Sequence, residues 1–197
     1  MQYFSRFPDI LTKDNNNNII ILKNLMARSS IITSLLTDPL LFYTYDLQDG
    51  DTPEIVAHKY YDDVYRYWIV LYANQIMDPQ WDWPMDGTIL DNFVTQKYGN
   101  EAYGLHHYEK ITEQTESVTG LTTKIVSVID ETTYDALDAS STTYTLPSGS
   151  VTVNVSKRSV TNYVYELEKN ESKRTIKLLN KTYVPQLEAQ FKKLMAV

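Results

Sequence analysis

Cysteine is absent from the 197 residues, so no disulfide framework, thiolate zinc site or cysteine nucleophile is available. Glycine is scarce. The six present are not grouped, which excludes a glycine-rich phosphate loop. No serine sits in a Gly-x-Ser-x-Gly elbow. The longest apolar run, Trp68 to Ala73, is far too short to cross a bilayer. Met1 to Pro8 lacks the basic start and apolar stretch of a secretory signal. Positive charge is in deficit: 18 Lys and Arg against 25 Asp and Glu give a net charge of −7. Such a chain has no field to gather phosphates, so nucleic acid is not an expected partner. The expected compartment is a cytoplasm, or a particle assembled in one.

Candidate catalytic groups are few. Of three histidines, His58 stands beside Lys59, and His106 and His107 are adjacent. On a strand, neighbours point to opposite faces and cannot chelate one ion together. No ligand-spaced cluster is visible, and neither a metal nor a cofactor is expected. Asp49, Asp51, Glu54, Asp62 and Asp63 form an acidic cluster. Paired carboxylates can hydrolyse glycosides, but turn and helix N-terminus chemistry accounts for each of these five. No enzyme activity is expected.

Tyrosine is plentiful. Sixteen of the 24 aromatic residues are Tyr, and ten Tyr, all three Trp and two Phe lie between Leu40 and Lys110. Both a tyrosine-rich core and an interface account for such a cluster, because tyrosine joins a flat apolar face to a polar tip.

Along the chain, Tyr3, Phe4, Phe7 and Pro8 form an aromatic start suited to an extended arm anchored on a neighbour. Asn15 to Asn18 read as a turn, Ile19 to Leu22 as a short strand and Met26 to Leu36 as a helix. Leu41 to Leu47 has strand composition. Thr52 is a good N-cap, Pro53 suits the first helical position, and a helix burying Ile55, Val56 and Tyr60 is expected to Tyr61. Asp62-Asp63 ends it and begins the next, over Val64 to Asn74. There Val64, Tyr67, Trp68, Leu71 and Tyr72 fall on one stripe, while Tyr65, Ile69, Val70 and Ala73 make the other sides apolar too. A helix with no wet side is central in its domain or covered by another chain. A module of about sixty residues has little room to enclose one, which favours a partner. The expected contact area is Tyr65, Tyr67, Trp68, Ile69, Tyr72, Trp81 and Trp83, with the last two held on a rigid loop from Asp78 to Pro84.

Asp86-Gly87 opens another helix, carrying Ile89, Leu90, Phe93 and Val94 and stopping at Tyr98-Gly99-Asn100. Composition then shifts: 18 of 46 residues between Ile111 and Ser156 are Ser or Thr. Strict alternation of Val151, Val153 and Val155 with polar neighbours marks a half-buried strand, and Thr142 to Val155 reads as a hairpin. Lys124 to Ile129 is a further strand, Thr132 to Ser141 a mobile loop and Tyr163 to Glu168 a continuing strand. Lys173 to Leu179 suits strand or helix. A terminal helix capped by Thr182 lines Val184, Leu187, Phe191, Leu194 and Met195 on one face.

The strand, then Asp49-Gly50-Asp51-Thr52-Pro53-Glu54-Ile55-Val56-Ala57, Tyr60-Tyr61 and a second helix ending in Ala73-Asn74, resembles the LysM module. That resemblance implies binding of N-acetylglucosamine polymers such as peptidoglycan or chitin. Asp49, Gly50, Asp51 and Thr52 would serve before the first helix, and Asn74, Gln75 and Ile76 after the second. A longer pattern resembles the LysM-like baseplate wedge proteins of T-even-type contractile-tailed phages. It comprises Trp68, Asn74, Asp78-Pro79, Trp83, the helix ending in Lys97-Tyr98-Gly99, and Asn170-Glu-x-Lys-Arg-Thr-Ile-Lys-Leu-Leu. This resemblance implies a non-catalytic virion subunit that joins neighbouring wedges around the hub, with other wedge proteins as partners and no membrane.

The expected fold is α+β: a small LysM-like helix-pair module with a flanking helix, a Thr-rich β segment and a C-terminal helix. The expected segments are an arm and short helix at 1–38, the module with its following helix at 39–104, the β-rich stretch at 105–169, and a strand and helix at 170–197.

Overall fold

The structure, a computed structural model, describes residues 3–27, 29, 31 and 38–195. In chain order the elements are β1 (Asp9–Lys13), β2 (Ile19–Lys23), β3 (Phe42–Asp46), α1 (Pro53–Tyr61), α2 (Tyr67–Ala73), α3 (Pro79–Asp82), α4 (Gly87–Tyr98), β4 (Leu105–Glu116), β5 (Thr122–Ile129), α5 (Glu131–Ala136), β6 (Ser140–Leu146), β7 (Gly149–Thr161), α6 (Asn162–Glu171), β8 (Thr175–Leu179) and α7 (Val184–Met195). Single 3-10 turns occupy Tyr3–Arg6, Val64–Arg66, Gly99–Glu101 and Lys181–Tyr183. The chain forms two compact units: Met1–Asp86 with Glu171–Val197, and Gly87–Asn170. The expected helix over Met26 to Leu36 falls largely outside the described residues.

In the first unit β3 pairs antiparallel with β8, from Phe42 opposite Leu179 to Asp46 opposite Thr175. The two strands are far apart in sequence, so closing this sheet carries a loop-entropy cost that side-chain burial must offset. Ile176, Leu178 and Leu179 supply that burial. Helix α1 begins as its sequence dictates: the Thr52 hydroxyl accepts from the Ile55 N–H, and Pro53 needs no partner for its nitrogen. It ends on Asp62 in the left-handed region, and Asp63 then caps the 3-10 turn that leads into α2.

Helix α2 lies at the centre, with Trp68, Ile69, Val70 and Ala73 almost fully buried. Its cover comes from the same chain. Phe191 of α7 packs on Trp68 with ring centroids 4.9 Å apart, and Tyr3 stacks on both Trp68 and Phe191. Phe7 lies within the same cluster. Phe7 is therefore part of this unit's own core and Tyr3 packs against it, while Phe4 is about half exposed. Polar links close the shell: the Tyr61 hydroxyl donates to the Leu179 carbonyl at 3.0 Å, and Arg66 reaches Glu188 at 3.2 Å. Burial raises the Tyr61 hydroxyl pKa above its ordinary value. Ile55 and Leu194, expected inside, are exposed because the buried stripes run through Val56, Ala57 and Tyr61 on α1 and through Val184, Phe191 and Met195 on α7. The β1–β2 hairpin turns through the asparagine run, where Asp14 accepts from the N–H groups of Asn16 and Asn18.

The second unit contains a four-stranded antiparallel sheet in the order β5-β4-β7-β6. The expected hairpin over Thr142 to Val155 is present as β6 and β7, turning at Pro147-Ser148. Two expectations fail. Thr132 to Ser141 holds helix α5, started by the Asp130 carboxylate accepting from Thr133, with Tyr134 stacked on Tyr108 at 4.3 Å. Tyr163 to Glu168 is helix α6 and not strand. The Thr161 hydroxyl accepts from the Val164 N–H at its start, and its buried face carries Asn162, Glu166 and Asn170. That face is polar, so an apolar periodicity search passes over it. Glu166 is matched by Lys97 at 2.6 Å and the Tyr98 hydroxyl at 2.8 Å. Glu109 is matched by Arg158 at 2.6 Å and His107 at 3.0 Å. Burial pushes both carboxyls up, but these bonds outweigh it and hold both below the usual range.

Phe191→Ala removes the ring shared by the amino-terminal turn, α2 and α7. It is expected to lower unfolding stability by about 3–5 kcal/mol, measured by denaturant titration. Leu194→Ala on the exposed side of the same helix should stay within about 0.5 kcal/mol of the wild type.

Candidate docking face and the acidic turn

The acidic turn between β3 and α1 is built by its own polar groups. Gly50 takes φ +83°, a conformation that favours glycine, and its N–H donates to Asp86 at 3.0 Å. The Asp51 carboxylate is buried and accepts from the Tyr45 hydroxyl at 2.9 Å, the Gln48 N–H at 3.1 Å and Lys59 at 2.6 Å. Burial pushes its pKa up, but the bonds from Lys59, Gln48 and Tyr45 outweigh this and hold it below the ordinary carboxylate value. The hydrogen bond to Asp51 raises Lys59 in turn. The Asp51 carbonyl accepts the Trp83 indole N–H at 2.8 Å. Asp49 pairs with Arg174 at 2.7 Å.

At the end of α2, the Asn74 amide works as a structural clip. Its nitrogen donates to the Val70 and Lys177 carbonyls, each at 2.8 Å, and its oxygen accepts from the Lys177 N–H at 2.8 Å. Asn74 thereby caps α2 and covers the free side of β8, where main-chain groups otherwise need a partner. Gln75 follows in the left-handed region, exposed, and Ile76 packs against the core. Of the seven positions implied for glycan contact, Asp51 is buried in the fold, and Thr52 and Asn74 have their polar atoms engaged by main-chain groups of the same unit.

The seven expected contact residues divide differently. Trp68, Ile69 and Trp83 are buried within the unit and are core residues. Tyr67 and Tyr72 are partly buried and packed against that core. Tyr65 and Trp81 remain about half exposed, at 55% and 50%. Trp81 sits on the short helix α3, which replaces the expected loop; Asp78 caps it by accepting from the Gln80 N–H. Lys173 donates to the Trp81 carbonyl. The premise that another chain must cover α2 is thus corrected, because β8, α7 and the amino-terminal aromatics enclose it.

The histidine pair likewise departs from the expected strand geometry. The register shifts between Leu105 and His107, and this bulge brings the two Nδ1 atoms to 2.7 Å instead of opposite faces. His106 stacks on Tyr165 at 4.0 Å. Among the described residues no group of three or more His, Asp or Glu is placed to hold a metal ion. No helix among them is long and apolar enough to cross a membrane.

The profile of the base plate wedge protein 53 family matches residues 12–194. The chain belongs to that family. Comparison with curated proteins gives no match. Membership assigns the chain a structural role in the phage tail baseplate, among other baseplate proteins. The match runs through both compact units, including the Ser/Thr-rich stretch.

Asn74→Ala removes the amide that bonds the Val70 carbonyl and the Lys177 main chain, and is expected to cost about 0.5–1.5 kcal/mol, read by chemical denaturation. For Asp51→Asn the sign follows from the lowered native pKa. The wild type's advantage over the variant is full above about pH 4, the ordinary carboxylate value. It disappears as pH falls through the lower folded value, as parallel acid-unfolding curves will show.

Proposed function

We propose that this chain joins neighbouring wedges around the hub of a contractile tail baseplate, with its first unit as the docking module. The family match over residues 12–194 carries this reading. The path of the first unit supports a LysM-like reading of the module: strand β3, helices α1 and α2, and a closing antiparallel strand, here β8. The docking contact centres on Tyr65 and Trp81. Half-exposed aromatic anchors on a rigid support suit a protein interface, where a few such residues supply most of the binding free energy. Assembly takes place in the bacterial host cytoplasm, and the mature location is the virion tail. The polar atoms of Asp51, Thr52 and Asn74 are already bonded within the chain, which weighs against glycan contact there.

The test is incorporation into tails. Tyr65→Ser with Trp81→Ser is expected to reduce the copies found in purified virions by mass spectrometry. The unfolding midpoint of the isolated chain should stay unchanged. Normal incorporation, with both side chains facing solvent in a density map of the tail tip, overturns the proposed contact.

A further inference from the structure

The sheet of the second unit has two open edges, and their design is unusual. All seven residues of β6, Ser-Ser-Thr-Thr-Tyr-Thr-Leu, are exposed. The strand carries no charge, no proline and no bulge, the usual devices that keep an edge from pairing. The other edge, β5, spans eight residues, seven of them exposed, with Lys124 as its only charge. Ile125, Val126 and Val128 are 45–71% exposed on it, and Tyr144 and Leu146 are exposed on β6.

The two edges match in three respects. They are seven and eight residues long, so one covers the other from end to end. All three pairings in the order β5-β4-β7-β6 are antiparallel, so β5 and β6 run in opposite directions. Two copies set side by side in the same orientation therefore bring β6 of one against β5 of the next as an ordinary antiparallel pair. The faces also agree. Tyr144 lies opposite Val151, and Ile125 and Val155 both lie opposite Thr112, which places Tyr144, Leu146 and Ile125 on the face of Val151, Val153 and Val155. The opposite face carries a row of four threonines, Thr122, Thr115, Thr152 and Thr143, with hydroxyl pairs at 3.1 Å at both ends. Val126 and Val128 of β5 lie on the threonine face, so in a joined sheet the face of Tyr144, Leu146 and Ile125 continues on one side, and the threonine row with these two valines continues on the other.

We propose that the second unit is a self-association element: β6 of one copy adds to β5 of a second copy, head to tail. A single such joint covers both kinds of open edge, whereas a two-fold pairing of β6 with itself leaves β5 bare. Head-to-tail joints generate rings or open arrays. The inference rests on the strand order and exposure of the second unit and is independent of the docking role given to Tyr65 and Trp81.

Sedimentation of the full chain across the micromolar range tests it. The wild type is expected to associate with rising concentration. Thr143→Lys places an ammonium on the face that carries Lys124, and should raise the midpoint concentration about tenfold or more, equivalent to about 1.4 kcal/mol. Hydrogen exchange on the wild type gives a reading that does not depend on the variant. Amides of both 122–129 and 140–146 should gain protection as association proceeds. A monomer at every concentration overturns the proposal, as does association that protects neither strand or β6 alone.

Discussion

Helix α2 has no wet side, and the first unit is arranged around that fact. Trp68, Ile69, Val70 and Ala73 are removed from water by α1, by β8 and by α7, with Tyr3 stacked on the indole and Phe7 packed on Tyr3 and Phe191. Burial of this kind is worth about 1.5–3 kcal/mol for each large side chain. It compensates the cost of bringing together segments separated by more than a hundred residues. Because the closing strand and helix come from the far end of the chain, the second unit is inserted between α3 and β8. A helix that would draw in another chain if left bare is instead the element that binds the two ends of this one.

The same closure determines what remains for partners. Asp51, Asn74 and Trp83 hold the turn, the β8 edge and the indole in fixed positions, with each of their polar groups matched. On the first unit Tyr65 and Trp81 stay half exposed, and the β1–β2 hairpin also turns apolar side chains outward, Leu11, Ile19 and Ile21 among them. On the second unit the outward feature is an uncharged strand edge. A family whose role is structural needs rigid surfaces with defined contacts.

Local chemistry in the first unit was legible from sequence wherever a residue acts on its immediate neighbours. Thr52, Pro53, Asp62 and Asp63 set the ends of α1 and the start of the next turn as their types require, and the valine alternation marked β7. The pairing of β3 with β8 was not legible, because Leu41–Leu47 and Thr175–Leu179 carry no mark of each other. The core placement of Trp68 and Ile69 was not legible because the cover over α2 comes from distant segments, and that of Trp83 because its indole is held by the Asp51 carbonyl, 32 residues away. Helix α6 escaped since its buried face is Asn162, Glu166 and Asn170, stabilised by hydrogen bonds and ion pairs that follow no apolar period. The approach of His106 to His107 was not legible, because the bulge that produces it leaves no signature in two adjacent residues.

The account depends on α2 being enclosed by its own chain before any assembly. Native-state hydrogen exchange on the isolated full-length protein at low concentration measures this directly. The amides from Ile69 to Ala73 should exchange only through global unfolding, with a free energy equal to that from denaturant titration. Rapid exchange of these amides in the free chain, slowing only after incorporation into tails, would contradict it.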